Sequence, residues 1–220
     1  RENQKEKDFT KWVNSKNKRV KQYGNALYKI DYAVRSSAEA EKAYTLLTES
    51  VYRIEIVGAV PMFGQAFRRA LASAPGDSTA ALEAAKNAVS ALYKDYSLPL
   101  DRKEASALIG FYVDNVKPED MIQVEGHDIT EVERYADFLF SGSAFCTEEK
   151  LRATGSYKDF LNDPATQLYN AIVTVVQRLM PAMESSRRAA KPSLRASWSG
   201  RRTSLPTRTP TAPCASPTAP

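Results

Sequence analysis

Residues 163–183 read DPATQLYNAIVTVVQRLMPAM, and this stretch decides the fold class. Asp163 followed by Pro164 places a capping residue and a proline where the start of a helix prefers them. Behind this pair the apolar side chains recur at intervals of three and four residues, the period of a helix with one buried face. Those side chains are Leu168, Ile172, Val175, Val176 and Leu179. We therefore predict a helix from Pro164 to about Met183.

The same spacing extends outward from this stretch over most of the chain. Residues 25–72 can form one long helix or two broken ones, and Pro61 should kink or end it because proline removes a backbone donor. No segment has the alternation of a strand or the turn signal of a hairpin. Further helices are predicted over residues 3–13 and 101–113 and after the capping residues Asp77, Asp128 and Thr147.

We therefore predict an all-α chain, a multi-helix domain with one long or kinked helix pair followed by a disordered C-terminal tail. The domain covers residues 1–190 and the tail residues 191–220. Of the thirty tail residues, six are Pro, five Ser, five Thr and four Ala. Such a segment buries too little apolar surface to offset its ordering entropy.

The tail also carries the whole excess of positive charge. The chain has 31 basic and 26 acidic residues, and five of the basic residues but no acid lie after residue 190. Residues 1–190 therefore hold 26 of each, and a neutral body predicts no nucleic-acid partner. No run of 18 apolar residues predicts a membrane span. No signal peptide is visible.

Two residues are candidates for catalysis. His127, the only histidine, could act as a lone base oriented by Asp128, but its place beside Gly126 favours a solvated loop. Cys146 could be a nucleophile, but a small semi-buried residue at a helix junction is favoured. A Ser-His-Asp triad needs three groups in hydrogen-bond contact. We predict no catalytic, cofactor-binding or metal-binding residue in this chain, and no cofactor, because the two cysteines lack metal spacing.

A stripe of aromatic residues near the N-terminus could have either of two roles. Trp12, Tyr23, Tyr28 and Tyr32 follow mixed helical spacing. Packing between two helices is the favoured role, and a binding groove is the alternative.

Several stretches together resemble one bacterial enzyme family. Residues 8–14 (DFTKWVN) and 21–27 (KQYGNAL) are similar to paired runs of the serine dipeptidyl peptidases of the dipeptidyl-peptidase seven and eleven type. Residues 95–103 (DYSLPLDRK) resemble the run before a core helix of that family. Residues 138–145, 147–151 and 163–169 fit as well, and the resemblance covers about residues 2–190.

The resemblance implies a function for the parent protein. Members carry a chymotrypsin-like double β-barrel with a Ser-His-Asp triad and an inserted helical domain that covers the cleft. That domain holds the free amine of a peptide substrate, so a dipeptide is released from the N-terminus. This chain resembles a fragment of the helical domain, and it is expected to be inactive alone. The catalytic histidine and aspartate are expected upstream, the serine downstream, and the amine-binding asparagine before residue 1, so no site residue is carried over.

The resemblance also implies the substrates, the assembly and the location of the intact enzyme. Peptide substrates of the intact enzyme, a homodimeric assembly and a periplasmic or cell-surface location are expected from the family. The first residues lack an initiator Met and read as the middle of a helix, so the natural chain is expected to begin further upstream.

The tail departs from the family pattern. Where it begins, the family continues with a helix and then a segment that resembles PDANSTMRVTYG. A neighbouring reading frame of residues 206–220 permits a string similar to that segment. We hypothesise that a frameshift near Lys191 replaced the native continuation.

Two rival functions stay open from the sequence. The chain could be a non-enzymatic α-helical interaction module. The basic tail could alternatively be an arm for nucleic acid or a membrane surface, although Trp198 is its only aromatic residue.

Overall fold

The computed structural model describes residues 2–14 and 26–202. In these ranges the chain forms helices joined by turns and loops, the longest of which covers residues 116–131. The only β-type pairing in these ranges is one isolated bridge between Val124 and His127. The prediction of an all-α chain is confirmed. The helices are α1 (Glu2–Val13), α2 (Ala26–Glu49), α3 (Glu55–Ser73), α4 (Ser78–Val89), α5 (Leu98–Asn115), α6 (Val132–Gly142), α7 (Glu148–Ala153), α8 (Tyr157–Leu161) and α9 (Pro164–Arg202).

Short 3₁₀ segments join several of these helices. They are Val51–Arg53, Ser90–Lys94, Pro118–Asp120 and Ala144–Cys146. No helix among the described residues is long and apolar enough to cross a membrane.

The chain divides into two compact units, which we describe separately. The first contains residues 1–36 and 184–220, and the second contains residues 37–183. The hydrophobic core lies in the second unit, where α3, α4, α5, α6 and the start of α9 contribute buried faces. Its largest fully buried side chains are Tyr112, Tyr135, Phe63, Phe145, Leu47, Ile54, Ile56, Ile109, Ile122, Leu139, Leu151 and Leu168.

The break in the long N-terminal helical segment lies earlier than its proline. We predicted that Pro61 kinks or ends this helix, and that position is wrong. α2 ends at Glu49, and Pro61 lies inside α3. The cause is the Asp101 carboxylate, which accepts the backbone N–H groups of Glu55 (2.9 Å) and Ile56 (3.3 Å). These groups have no partner within their own helix, so a distant side chain starts α3 by satisfying them.

Local caps fix several other helix starts as predicted. The Asp77 carboxylate accepts the N–H of Ala80, and the Thr147 hydroxyl accepts that of Lys150. The expected cap at Asp128 is wrong. Asp128 Oδ1 instead accepts the backbone N–H and the hydroxyl of Thr130, and α6 begins at Val132 without a side-chain cap.

The last helix runs further than the sequence indicates. The predicted end near Met183 and the predicted unstructured segment from Lys191 both differ from the backbone, which is helical to Arg202. Half of residues 191–202 are Lys, Leu, Arg or Ala, which are good helix formers, and all the tail prolines except Pro192 follow residue 202. Residues 203–220 lie outside the described residues, so the division of the chain at residue 190 stays a prediction.

Candidate functional site

His127 lies on the surface, in a tight turn before α6. Its backbone N–H donates to the carbonyl of Val124 at 3.1 Å, and Gly126 makes the turn possible with a φ of +74°, a value that side-chain-bearing residues rarely adopt. The imidazole stacks on the ring of Phe138, with ring centroids 3.5 Å apart and planes 20° apart. Among the described residues, no serine hydroxyl is hydrogen-bonded to it.

A cleft of about 300 Å³ opens beside this stacked pair. The carboxylate of Glu131 on its wall is already paired with Arg134 at 2.7 Å, and that of Asp128 is occupied by Thr130. The Tyr135 hydroxyl behind the wall is buried and has no hydrogen-bond partner. The cleft therefore mixes both signs of charge and presents no oriented acid–base pair. It is lined by Gly126, His127, Asp128, Glu131, Arg134, Tyr135 and Phe138.

Cys146 lies in the core and is not exposed to a substrate. Its side chain is 1% exposed, and Sγ donates to the carbonyl of Phe140 at 3.2 Å. Burial raises the pKa of the thiol to about 12, with the charge of Asp163 adding to the effect while Lys150 opposes it. A nucleophilic cysteine needs a thiolate in an electropositive, accessible place. The interpretation of Cys146 as a small residue at a helix junction fits this geometry, although the side chain is more deeply buried than the predicted semi-buried position.

Two buried carboxylates organise the second unit. Asp101 binds the start of α3, as described above, and also accepts the hydroxyl of Tyr96 at 3.3 Å. Asp163 binds the start of α9 through the N–H of Ala165 and accepts the N–H of Ala144 at 2.6 Å. Burial raises the pKa of each carboxyl, and the hydrogen bonds that each accepts oppose this rise.

These carboxylates serve helix starts rather than a reaction. The oxygens of Asp101 and Asp163 point at backbone N–H groups and at the hydroxyls of Tyr96 and Ser143. Sequence reasoning identified Asp163 from its place before Pro164. It missed Asp101, because the partners of that residue lie 45 and 46 positions away in the sequence.

Two members of the aromatic stripe, Tyr28 and Tyr32, lie on the surface. Tyr28 and Tyr32 stack on each other with centroids 6.4 Å apart and are 70% and 64% exposed. The favoured role in helix packing is therefore wrong for this pair, because both rings point away from the buried side of α2. Trp12 is half-buried, 5.8 Å from the ring of Phe9, and Tyr23 lies outside the described residues.

The described residues offer no constellation for peptide-bond hydrolysis. Within ranges 2–14 and 26–202, no group of three His, Cys, Asp or Glu side chains could hold a metal ion. His127, Asp128 and Cys146 are not brought together with a serine. The prediction that this chain carries no catalytic or cofactor-binding residue stays a prediction, since residues outside these ranges are not described.

Comparison with known proteins identifies the class of the chain. A sequence model of the peptidase S46 family matches residues 1–213, so the chain belongs to this family. The match continues past residue 190, where the sequence analysis placed the end of the resemblance.

The chain is also similar to a characterised dipeptidyl peptidase. The chain is 25% identical over 187 residues to Dipeptidyl-peptidase 7 of Porphyromonas gingivalis. The alignment covers 79% of this chain and 25% of that protein, so the chain spans about a quarter of the length of the relative that it matches. The resemblance to dipeptidyl peptidases that the sequence motifs indicated is confirmed.

Proposed function

We propose that this chain is part of a serine-type dipeptidyl peptidase and forms the helical domain that covers its cleft. One observation carries the proposal. The chain belongs to a peptidase family, yet its described residues are all-helical and place no histidine against a serine hydroxyl. A triad requires that contact, so the groups that break the peptide bond belong to other parts of the intact protein.

In this proposal the chain restricts access to the cleft and supplies none of the catalytic groups. A helical cover excludes longer substrate segments from the cleft and excludes water from the reacting bond. The substrates are peptides with a free N-terminal amine, and the products are dipeptides. A homodimeric assembly and a periplasmic or cell-surface location belong to the same proposal.

The test uses the intact protein and two reporter peptides that differ only in their N-terminus. We expect release of the dipeptide from the free-amine reporter and none from its N-acetylated form. A serine-protease inhibitor is expected to abolish the release. Equal cleavage of both reporters would contradict a cover that selects the N-terminus.

A pair of substitutions tests whether the helical domain provides this selection. Asp163→Ala in the intact protein removes the acceptor that joins α9 to the turn at Ala144, so we expect less discrimination between the two reporters. Asp77→Ala removes an exposed cap that binds only Ala80 and serves as the matched control. Unchanged discrimination in Asp163→Ala, with the domain shown by hydrogen exchange to be loosened, would contradict the proposed role.

A second candidate function is an α-helical interaction module without enzymatic activity. It is favoured by the stacked and exposed pair Tyr28 and Tyr32, because aromatic side chains are enriched where proteins bind each other. The reporter assay separates the two candidates. Dipeptide release by the intact protein excludes the second one.

A further inference from the structure

His127 and Phe138 belong to a cluster of three aromatic rings beside α6. The centroid of the Tyr135 ring lies 5.9 Å from that of Phe138 and 6.5 Å from that of His127. The cleft of about 300 Å³ described above opens beside these rings, and all three residues belong to its lining. Neither the packing of the core nor the proposed covering role uses this cleft.

The turn that forms the other wall of the cleft is fixed to the core. It belongs to the loop of residues 116–131, which the Tyr112 hydroxyl joins by donating to the carbonyl of Asp120 at 2.8 Å and accepting the N–H of Ile122 at 3.2 Å. Ile122 and Ile129, on the two sides of the turn, are 1% and 2% exposed. A wall that is formed before a ligand arrives lowers the ordering entropy that binding costs.

The charged side chains of the lining carry an excess of one negative charge when His127 is neutral. Glu131 and Arg134 are paired with each other and cancel. Asp128 has no cationic partner among the described residues, because its Oδ1 atom accepts two hydrogen bonds from the neutral Thr130. These hydrogen bonds lower the pKa of Asp128, so its carboxylate is charged near neutral pH. The second oxygen of this carboxylate, Oδ2, is therefore available to a positively charged ligand.

The Tyr135 hydroxyl is a second and independent indication of a ligand. Tyr135 is 2% exposed, and no group among the described residues forms a hydrogen bond with its hydroxyl. Native proteins rarely leave a buried hydroxyl unpaired, because the loss of its hydrogen bonds to water is then not compensated. Since Tyr135 also lines the cleft, an N–H group of a ligand there can donate to the hydroxyl oxygen.

We propose that this cleft binds a planar organic cation, the guanidinium group of an arginine side chain in a peptide. A flat cation packs against aromatic rings and is attracted to their faces. Its several N–H groups can donate to both Asp128 Oδ2 and the Tyr135 hydroxyl. An anion would meet the excess of negative charge, and an apolar group would leave both acceptors unpaired. The site does not depend on the proposed peptidase function.

An NMR titration of the full chain tests the charge preference. His127 is the only histidine, so its imidazole protons give a single set of resonances at the cleft. The probes are benzamidinium, benzamide and benzoate, which share one shape and are positive, neutral and negative. We expect a saturable shift with benzamidinium and an affinity at least about tenfold lower for the other two probes. Equal affinities for the three probes, or no shift with benzamidinium at about 20 mM, would overturn the proposal.

Two substitutions in the cleft identify the acceptors. Asp128→Asn keeps an acceptor for Thr130 and removes the charge, so we expect benzamidinium to bind at least about fivefold more weakly while benzamide is unaffected. Tyr135→Phe removes only the hydroxyl and is expected to weaken the binding of benzamidinium about threefold.

A matched control separates these effects from a general change of charge. Asp77→Asn alters another exposed aspartate that accepts a backbone N–H, and this residue does not line the cleft. We expect it to leave the affinity for benzamidinium unchanged. The proposal is wrong if Asp77→Asn weakens binding as much as Asp128→Asn does, or if neither cleft variant weakens it.

Three further probes test the source of the cation. Nα-acetyl-arginine amide represents an arginine side chain in a peptide, and methylguanidine represents a free small molecule. The cleft has space for more than a guanidinium group, so we expect the arginine derivative to bind more tightly. Nα-acetyl-lysine amide has no planar group and is expected to bind at least about threefold more weakly than the arginine derivative. Tighter binding of methylguanidine or of the lysine derivative would contradict an arginine ligand. No turnover is measured, so this site and the peptidase function can fail separately.

Discussion

Ser143 donates its hydroxyl hydrogen to Asp163 Oδ1 across 2.9 Å, and both side chains are buried. Ser143 Oγ in turn accepts the N–H of Phe145 at 3.1 Å, while Asp163 Oδ2 accepts that of Ala144. The two side chains thereby join the 3₁₀ turn after α6 to the first turn of α9. The cost of burying the Asp163 carboxylate is offset by the hydrogen bonds it accepts.

Removing the Asp163 carboxylate is expected to destabilise the chain strongly. Asp163→Ala leaves the buried Ser143 hydroxyl and the Ala144 N–H without an acceptor and removes the cap of α9. We expect the free energy of unfolding to fall by about 2–4 kcal/mol, as measured by urea denaturation. Asp77→Ala, an exposed cap, should cost about 1 kcal/mol. If the free energy of unfolding falls equally in the two variants, the hydrogen bonds of Asp163 to Ser143 and Ala144 add nothing to the stability beyond the helix cap.

Two carboxyls are expected to change the stability of the chain with pH in opposite directions. Each effect is measured as the difference in the free energy of unfolding between the parent and its Asp→Asn variant. Burial raises the pKa of Asp101 above its usual 3.8, so the folded chain binds this proton more tightly than the unfolded chain. The free energy of unfolding of the parent, relative to Asp101→Asn, should therefore fall as pH rises through this window. Hydrogen bonds from Thr130 lower the pKa of Asp128, so the parent should gain stability relative to Asp128→Asn as pH rises.

Urea denaturation between about pH 3 and about pH 7 measures both differences. Using each variant against the same parent cancels the titration of the remaining acids. The raised pKa of Asp101 is contradicted if the parent gains stability relative to Asp101→Asn as pH rises, as it is expected to do relative to Asp128→Asn.

The thiol of Cys146 is expected to be unreactive in the folded chain. Its side chain is buried and its pKa is raised to about 12, so almost no thiolate is present near neutral pH. In a Cys214→Ser background, we expect no modification by a thiol reagent until denaturant is added, and then one modified group. Rapid labelling of the folded chain would place Cys146 at the surface and reopen its role as a nucleophile.

Short-range chemistry made three helix starts predictable but misplaced a fourth at Asp128, and a long-range contact set the break before α3. Asp77, Thr147 and Asp163 each cap a helix that begins next to them, so local pattern was sufficient. The break before α3 depends on Asp101, which is 46 residues from Glu55 in the sequence. No local rule identifies such a partner.

The surroundings of the two candidate catalytic residues were predictable from the sequence, whereas the exposure of the aromatic pair was not. The sequence indicated that His127 lies in a solvated loop, because it follows Gly126. It also indicated that Cys146 is semi-buried at a helix junction, since His127 is its only possible histidine base. It misplaced Tyr28 and Tyr32, because helical spacing alone does not decide which side of a helix meets a neighbour.

The central claim is that this chain supplies a helical cover and that hydrolysis belongs to other parts of the intact protein. Incubating the purified chain with dipeptidyl reporter peptides tests this claim most directly. We predict no dipeptide release above the rate in buffer, with the intact protein as positive control. Release by the chain alone that a serine-protease inhibitor abolishes would contradict it.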